Sequence, residues 1–159
     1  MADNSATTSG NKQAPTGPLK CGDVGTYREM RKRKTNRQER DHVPATASML
    51  LAGQAHTAGL NSDQIQCFER FVKMDALTIA IPKGTHVKYS RTCKGRGGRA
   101  REEKDAEDLK QAAKDDFDAV QPYLSPECAK KYEEAKEKVL AQLPDKLFKD
   151  CKAKALAEC

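Results

Sequence analysis

Apolar residues keep helical spacing through the second half of the chain. Leu109, Ala112, Ala113, Phe117 and Val120 mark a helix within an acidic stretch over residues 102–118, and Pro122 ends or interrupts it. Ser125-Pro126-Glu127 opens another, with Tyr132, Ala135, Val139 and Leu140 on its apolar side, until Pro144 breaks it. A last helix runs from about Asp145 to Ala157. Earlier in the chain, residues 45–59 read as a short helix behind Pro44, with Thr46 or Ser48 as caps. Gly59 and Asn61 then punctuate the chain. Ser62 can cap a helix over residues 63–74 that carries Ile65, Phe68 and Val72 on one stripe. Tyr27 to Met30 form a short helical or turn-like piece. Residues 76–81 are different: a β-branched apolar run bounded by Pro82 and Gly84, which reads as a strand. The expected class is α+β, mostly helical by residue count, with no internal repeat.

Composition narrows this picture. At 159 residues, 37% hydrophobic and 33% charged, the chain fits one domain with a lean core and a solvated surface. No run approaches the ~18–20 apolar residues of a membrane span. Residues 1–20 are rich in Ser, Thr, Asn, Gly and Pro and read as a disordered leader or linker. They contain no apolar signal region, so a protein that leaves its cell would rely on a dedicated export machine or a larger parent chain. Residues 21–121 form the expected core and 122–159 a C-terminal helical extension. The six cysteines make no C-x-x-C pair. They read as scattered free thiols, with a Cys151–Cys159 or other bridge open in an oxidising compartment.

Charge is segregated. The net charge is +6, which points to a polyanionic partner. Arg28, Arg31, Lys32, Arg33, Lys34, Arg37 and Arg40 face only Glu29 and Glu39. A second basic stretch, residues 83–101, contains Lys88 and Arg91 and no acid, and its glycines predict a pliable loop. The acidic stretch follows directly. Paired basic runs of this kind bind phosphates without reading bases, and no aromatic stacking platform stands out.

The candidate chemistry sits between the runs. Arg40-Asp41-His42-Val43-Pro44 follows the first, and Ile79-Ala80-Ile81-Pro82 leads to His86, then Ser90-Arg91-Thr92-Cys93-Lys94-Gly95. Over about residues 21–120 this resembles the HNH, or ββα-metal, nucleases, and more closely the HNH-like toxin domains of bacterial polymorphic toxins and secreted effectors. The resemblance implies a small β-hairpin-and-helix site wrapped by the C-terminal helices. It implies a metal-dependent endonuclease, acting on DNA ahead of RNA. His42 would be the general base for water, and Asp41 and His86 would hold one divalent ion, Mg2+ ahead of Zn2+, Mn2+ or Ni2+. Arg31, Lys32, Arg33, Lys34, Arg37, Arg40, Lys88 and Arg91 would contact nucleic acid. A cognate immunity protein and delivery into a target-cell cytoplasm are implied with it. Two departures stand out: Cys93 and Lys94 replace an expected aromatic and glycine, and Thr78 is the residue nearest the slot of a missing asparagine.

Each residue also has a plainer reading. Asp41 suits a helix cap, His42 a surface histidine by a turn, His86 a loop position, and Thr78 strand packing. His56 reads as a helix-surface residue. Adjacent strand residues point to opposite faces, so Asp41 and His42 can face one ion only if the strand bends or bulges. Two rival functions follow: a metal-free ribonuclease using His42 and His86 as an acid–base pair, and a non-catalytic nucleic-acid-binding protein.

Overall fold

The computed structural model describes residues 16–142 and 144–159. It is α+β and predominantly helical. Three short strands, β1 (Val24–Thr26), β2 (Gln38–His42) and β3 (Leu77–Pro82), form an antiparallel sheet in the order β1-β3-β2. The helices are α1 (Tyr27–Met30), α2 (Thr46–Gly53), α3 (Ser62–Asp75), α4 (Lys83–Tyr89), α5 (Gly98–Glu107), α6 (Leu109–Val120), α7 (Pro126–Ala141) and α8 (Pro144–Glu158). None is long and apolar enough to cross a membrane.

The central strand explains the sheet. Thr78, Ile79, Ala80 and Ile81 are all buried, as expected of a strand covered on both faces. On one face Ile79 and Ile81 pack with Val43, with Phe117 and Val120 of α6, and with Tyr132, Ala135 and Val139 of α7. On the other, Ala80 meets Leu19 and Met30. A separate cluster joins Phe68 and Val72 of α3 to Met49, Leu109 and the inner side of α8 at Leu147, Phe148, Cys151 and Ala155.

Helix boundaries follow local chemistry. Asn61, rather than Ser62, caps α3, in a reciprocal capping box with Gln64. Ser125 caps α7, which opens at Pro126. Asp108 caps α6 and so divides the acidic stretch between two helices. The second basic stretch is not a loop. It holds all of α4, a 3-10 turn at Cys93–Gly95 and the start of α5. Gly97 enters α5 at φ +86°, where an added Cβ would strike Arg101 Cβ at 2.7 Å. That glycine serves a helix start rather than a pliable segment.

Two boundaries of the expected organisation shift. Residues 1–15 lie outside the described residues. Residues 16–20 belong to the fold: Leu19 is fully buried, and its backbone N–H donates to Lys34 O at 2.9 Å. The C-terminal helices are not an extension, because α7 closes one core and α8 the other. Disulfides reinforce both, joining Cys21 to Cys128 and Cys67 to Cys159. Free thiols remain at buried Cys93 and Cys151 only, among the described residues. A Cys151–Cys159 bridge is excluded by geometry: eight residues along a helix separate them by about 12 Å, well beyond the roughly 7 Å limit for Cα atoms in a disulfide.

Candidate metal and phosphate site

β2 pairs with β3 without interruption from Gln38↔Pro82 to His42↔Thr78. No bulge intervenes, so its side chains alternate strictly. Glu39 and Asp41 therefore share one face, and Arg40 and His42 the other.

On the first face the strand meets α4, which starts directly after β3 and carries His86. Asp41 is buried, and its Oδ1 lies 3.3 Å from His86 Nε2. Glu39 Oε1 stands 2.7 Å from His86 Nδ1 on the other side of the ring. Burial alone would lower the imidazole pKa, but Asp41 and Glu39 outweigh it and raise it. Asp41 and His86 are thus brought together, with Glu39 as a third member. Glu39 was legible by spacing, two residues before Asp41 on a strand.

A layer of ion pairs backs this group. Arg91 Nη1 binds Asp116 Oδ1 at 2.5 Å, and its Nη2 binds Asp105 Oδ1 at 3.1 Å. Arg101 Nη1 binds Asp105 Oδ2 at 3.1 Å. Burial pushes the Asp116 carboxyl up to about 7, with Asp41 and Asp105 adding to it against the pull of Arg91. At this site His86 Nδ1, and in the layer behind it Asp116 Oδ2 and Tyr132 Oη, are buried without a hydrogen-bond partner among the described residues, so Glu39 meets the ring as a nearby charge. Burial, then the charges of Asp41 and Asp116, raise the Tyr132 hydroxyl, so it stays protonated. Asp105, Asp116 and Tyr132 come from distant parts of the chain, and nothing local in the sequence marks them.

On the second face His42 is half-buried. Its Nε2 donates to Lys73 O at 2.9 Å, and its ring stacks on Tyr27 at 5.1 Å. Burial lowers its pKa despite the Lys73 carbonyl and Asp41. Thr78 lies opposite it, fully buried, with Oγ1 donating to Gly25 O at 3.2 Å. The structure therefore corrects the expected constellation: His42 and Thr78 face away from Asp41 and His86.

The expected phosphate-binding residues also divide. Arg31, Lys32, Lys34, Arg37 and Lys88 are exposed. Arg33 is buried, bound to Asp23 at 2.8 Å and to the carbonyls of Gly17 and Pro18. Arg40 donates to the carbonyls of Met30 and Arg33. Arg91 is held in the ion-pair layer. These three arginines hold the fold together rather than waiting for phosphate.

No family model, no curated protein and no solved structure matches this chain.

The direct Asp41–His86 contact has the spacing of two ligands of one divalent cation. Two bonds of about 2.1 Å at right to tetrahedral angles put their donor atoms roughly 3.0–3.4 Å apart, and Asp41 Oδ1 and His86 Nε2 stand at 3.3 Å. A carboxylate against the other ring nitrogen, here Glu39, is the usual support of a ligating histidine. Among the described residues no group of three or more His, Cys, Asp or Glu is arranged to hold a metal. An ion at this pair would take its other positions from water and phosphate, as Mg2+ commonly does. The imidazole suits Zn2+ or Ni2+, and the carboxylate Mg2+ or Mn2+.

A cavity of about 780 Å3 opens elsewhere, where His56, Leu109, Pro144 and Phe148 meet, and contains none of these groups. His56 packs on Phe148 at 4.9 Å between ring centroids, a packing role rather than a ligand's.

Proposed function

We propose that this chain is a metal-dependent nuclease, a phosphodiester hydrolase acting on DNA ahead of RNA. The observation that carries the reading is the Asp41–His86 pair at 3.3 Å with Glu39 against the second ring nitrogen. Asp41 and His86 would hold one divalent ion, which when bound neutralises phosphate charge and acidifies water. Glu39 orients the imidazole. The exposed cations Arg31, Lys32, Lys34, Arg37 and Lys88 supply sequence-independent affinity for the phosphate backbone. His42 takes no part in handling water, since it lies across the sheet from the pair. The same separation disfavours a metal-free ribonuclease built on His42 and His86. The HNH-like toxin resemblance adds the biological setting: an antibacterial effector, delivered to a target-cell cytoplasm and restrained in its producer by a cognate immunity protein. Two disulfides support passage through an oxidising compartment on that route.

Plasmid cleavage by purified protein tests the reading, with Mg2+, Mn2+, Zn2+ or Ni2+ added and with EDTA. Wild type should nick or degrade the plasmid only with metal, and Asp41→Asn and His86→Ala should not. Retardation of plasmid on a gel without cleavage under any metal would leave a non-catalytic nucleic-acid-binding protein instead.

A further inference from the structure

The helix that carries His86 also carries one ring of an aromatic stack, the half-buried Tyr89. Tyr89 lies one turn after His86, on the same side of α4. Its ring stacks face to face on Tyr123, with centroids 3.5 Å apart and planes parallel. Tyr123, from the 3-10 turn that follows α6, is 53% exposed, and neighbouring Val87 is 38% exposed. Lys88 Nζ lies 5.4 Å from the Tyr89 ring centroid.

Charge continues the line toward the other end of α4. Its first residue, Lys83, is exposed, and its backbone N–H donates to the carbonyl of exposed Arg37 at 2.9 Å. Arg37 closes the segment between α1 and β2 that also carries Arg31, Lys32 and Lys34. The seven residues of α4 cover about 10 Å at ~1.5 Å each, a span of a few nucleotides. One short helix thus has cations at its start, the Asp41–His86 pair against its middle, and a ring stack with a lysine at its end.

We propose that Tyr123, backed by Tyr89, is a base-stacking subsite, and that the site takes nucleic acid with an unpaired base next to the scissile phosphate. A paired base inside a duplex has both faces covered by its neighbours. An unpaired base can lay one face on an exposed ring, while Lys88 meets the adjoining phosphate. Such stacking tolerates any base. This deepens the nuclease reading, and rests on it for the link between binding here and cleavage.

The chain has no tryptophan, so Tyr123→Trp installs a single fluorophore at the subsite. In EDTA, where cleavage does not interfere, oligothymidylate should quench it. The duplex of the same length, or an oligonucleotide abasic throughout, should quench it far less. Tyr123→Ala should weaken oligothymidylate binding by about 5- to 150-fold, the range for loss of one stacked base, while Tyr123→Phe keeps it. Equal affinity of wild type and Tyr123→Ala for oligothymidylate, or equal quenching by the abasic strand, overturns the subsite. Such a result alongside metal-dependent plasmid cleavage would remove the subsite and leave the nuclease standing. Base-dependent quenching without cleavage of either plasmid or oligothymidylate under any metal would keep the subsite and remove the nuclease.

Discussion

The two faces of β2 carry neighbouring residues of one short motif and treat them in opposite ways. Arg40 and His42 spend their donors on backbone carbonyls of Met30, Arg33 and Lys73, so these two side chains are tied into the fold. Glu39 and Asp41 instead surround an imidazole, above a buried layer with two unpartnered polar atoms. A satisfied polar group stabilises structure, whereas an unsatisfied one keeps capacity for a ligand. The difference teaches that a motif read along a strand must be split by parity before roles are given to its residues.

Four measurements break or sharpen this contrast. The largest effect is expected from Arg91→Ala, which leaves Asp116 buried without its partner and Asp105 with Arg101 alone. Removing one member of a buried charge pair costs about 3–5 kcal/mol. The Arg91 side chain is 27% exposed, so the lower end, near 3 kcal/mol, is expected in urea unfolding. Adding Asp116→Asn should recover part of that loss.

Next come Asp41→Asn and His86→Ala, each expected to lower metal-dependent cleavage by more than about 100-fold, the upper end for loss of a supporting partner. Asp41→Asn should leave folding intact, because it removes a like charge from beside Asp116. Circular dichroism checks that directly.

His42→Ala should behave in the opposite manner. Losing one hydrogen bond and one ring stack should cost about 1–2 kcal/mol of stability, with cleavage by the folded protein unchanged. A folded but inactive His42→Ala would join the two faces into one site and undo the comparison.

The smallest effect concerns Asp75, at the end of α3, away from both faces. Burial would raise its carboxyl, but hydrogen bonds from Lys154 and Arg28 outweigh this and hold it below the ordinary carboxylate range. Its contribution is present above the unfolded pKa of about 3.8 and is lost as pH falls through the folded value. Asp75→Asn should therefore cost about 1 kcal/mol at pH 7. Its unfolding midpoint should converge on wild type below pH 4.

Much of the fold was legible because apolar spacing and helix punctuation are local. The stripe of α3, the buried run of β3, the helix start at Ser125-Pro126-Glu127 and the break at Pro144 all follow from neighbours in the chain. The segment over 83–101 was misread because charge and glycine report solvation and turning capacity, not conformation. Behind Pro82 the first seven residues of that segment form α4. At the site, the nearness of Asp41 to His86 agrees with the expected pair, and Glu39 follows from strand parity. Arg91 was misassigned because its partners Asp105 and Asp116 come to it only through the packing of α5 and α6. The cysteines were misread for the same reason, since their pairs span 107 and 92 residues.

Those two spans interleave: Cys67 lies inside the loop closed by Cys21 and Cys128, and Cys159 lies outside it. Any single peptide bond cut between residues 21 and 159 therefore leaves two pieces still covalently tied. A protease that nicks the oxidised molecule once does not release a fragment, and only reduction lets the halves part.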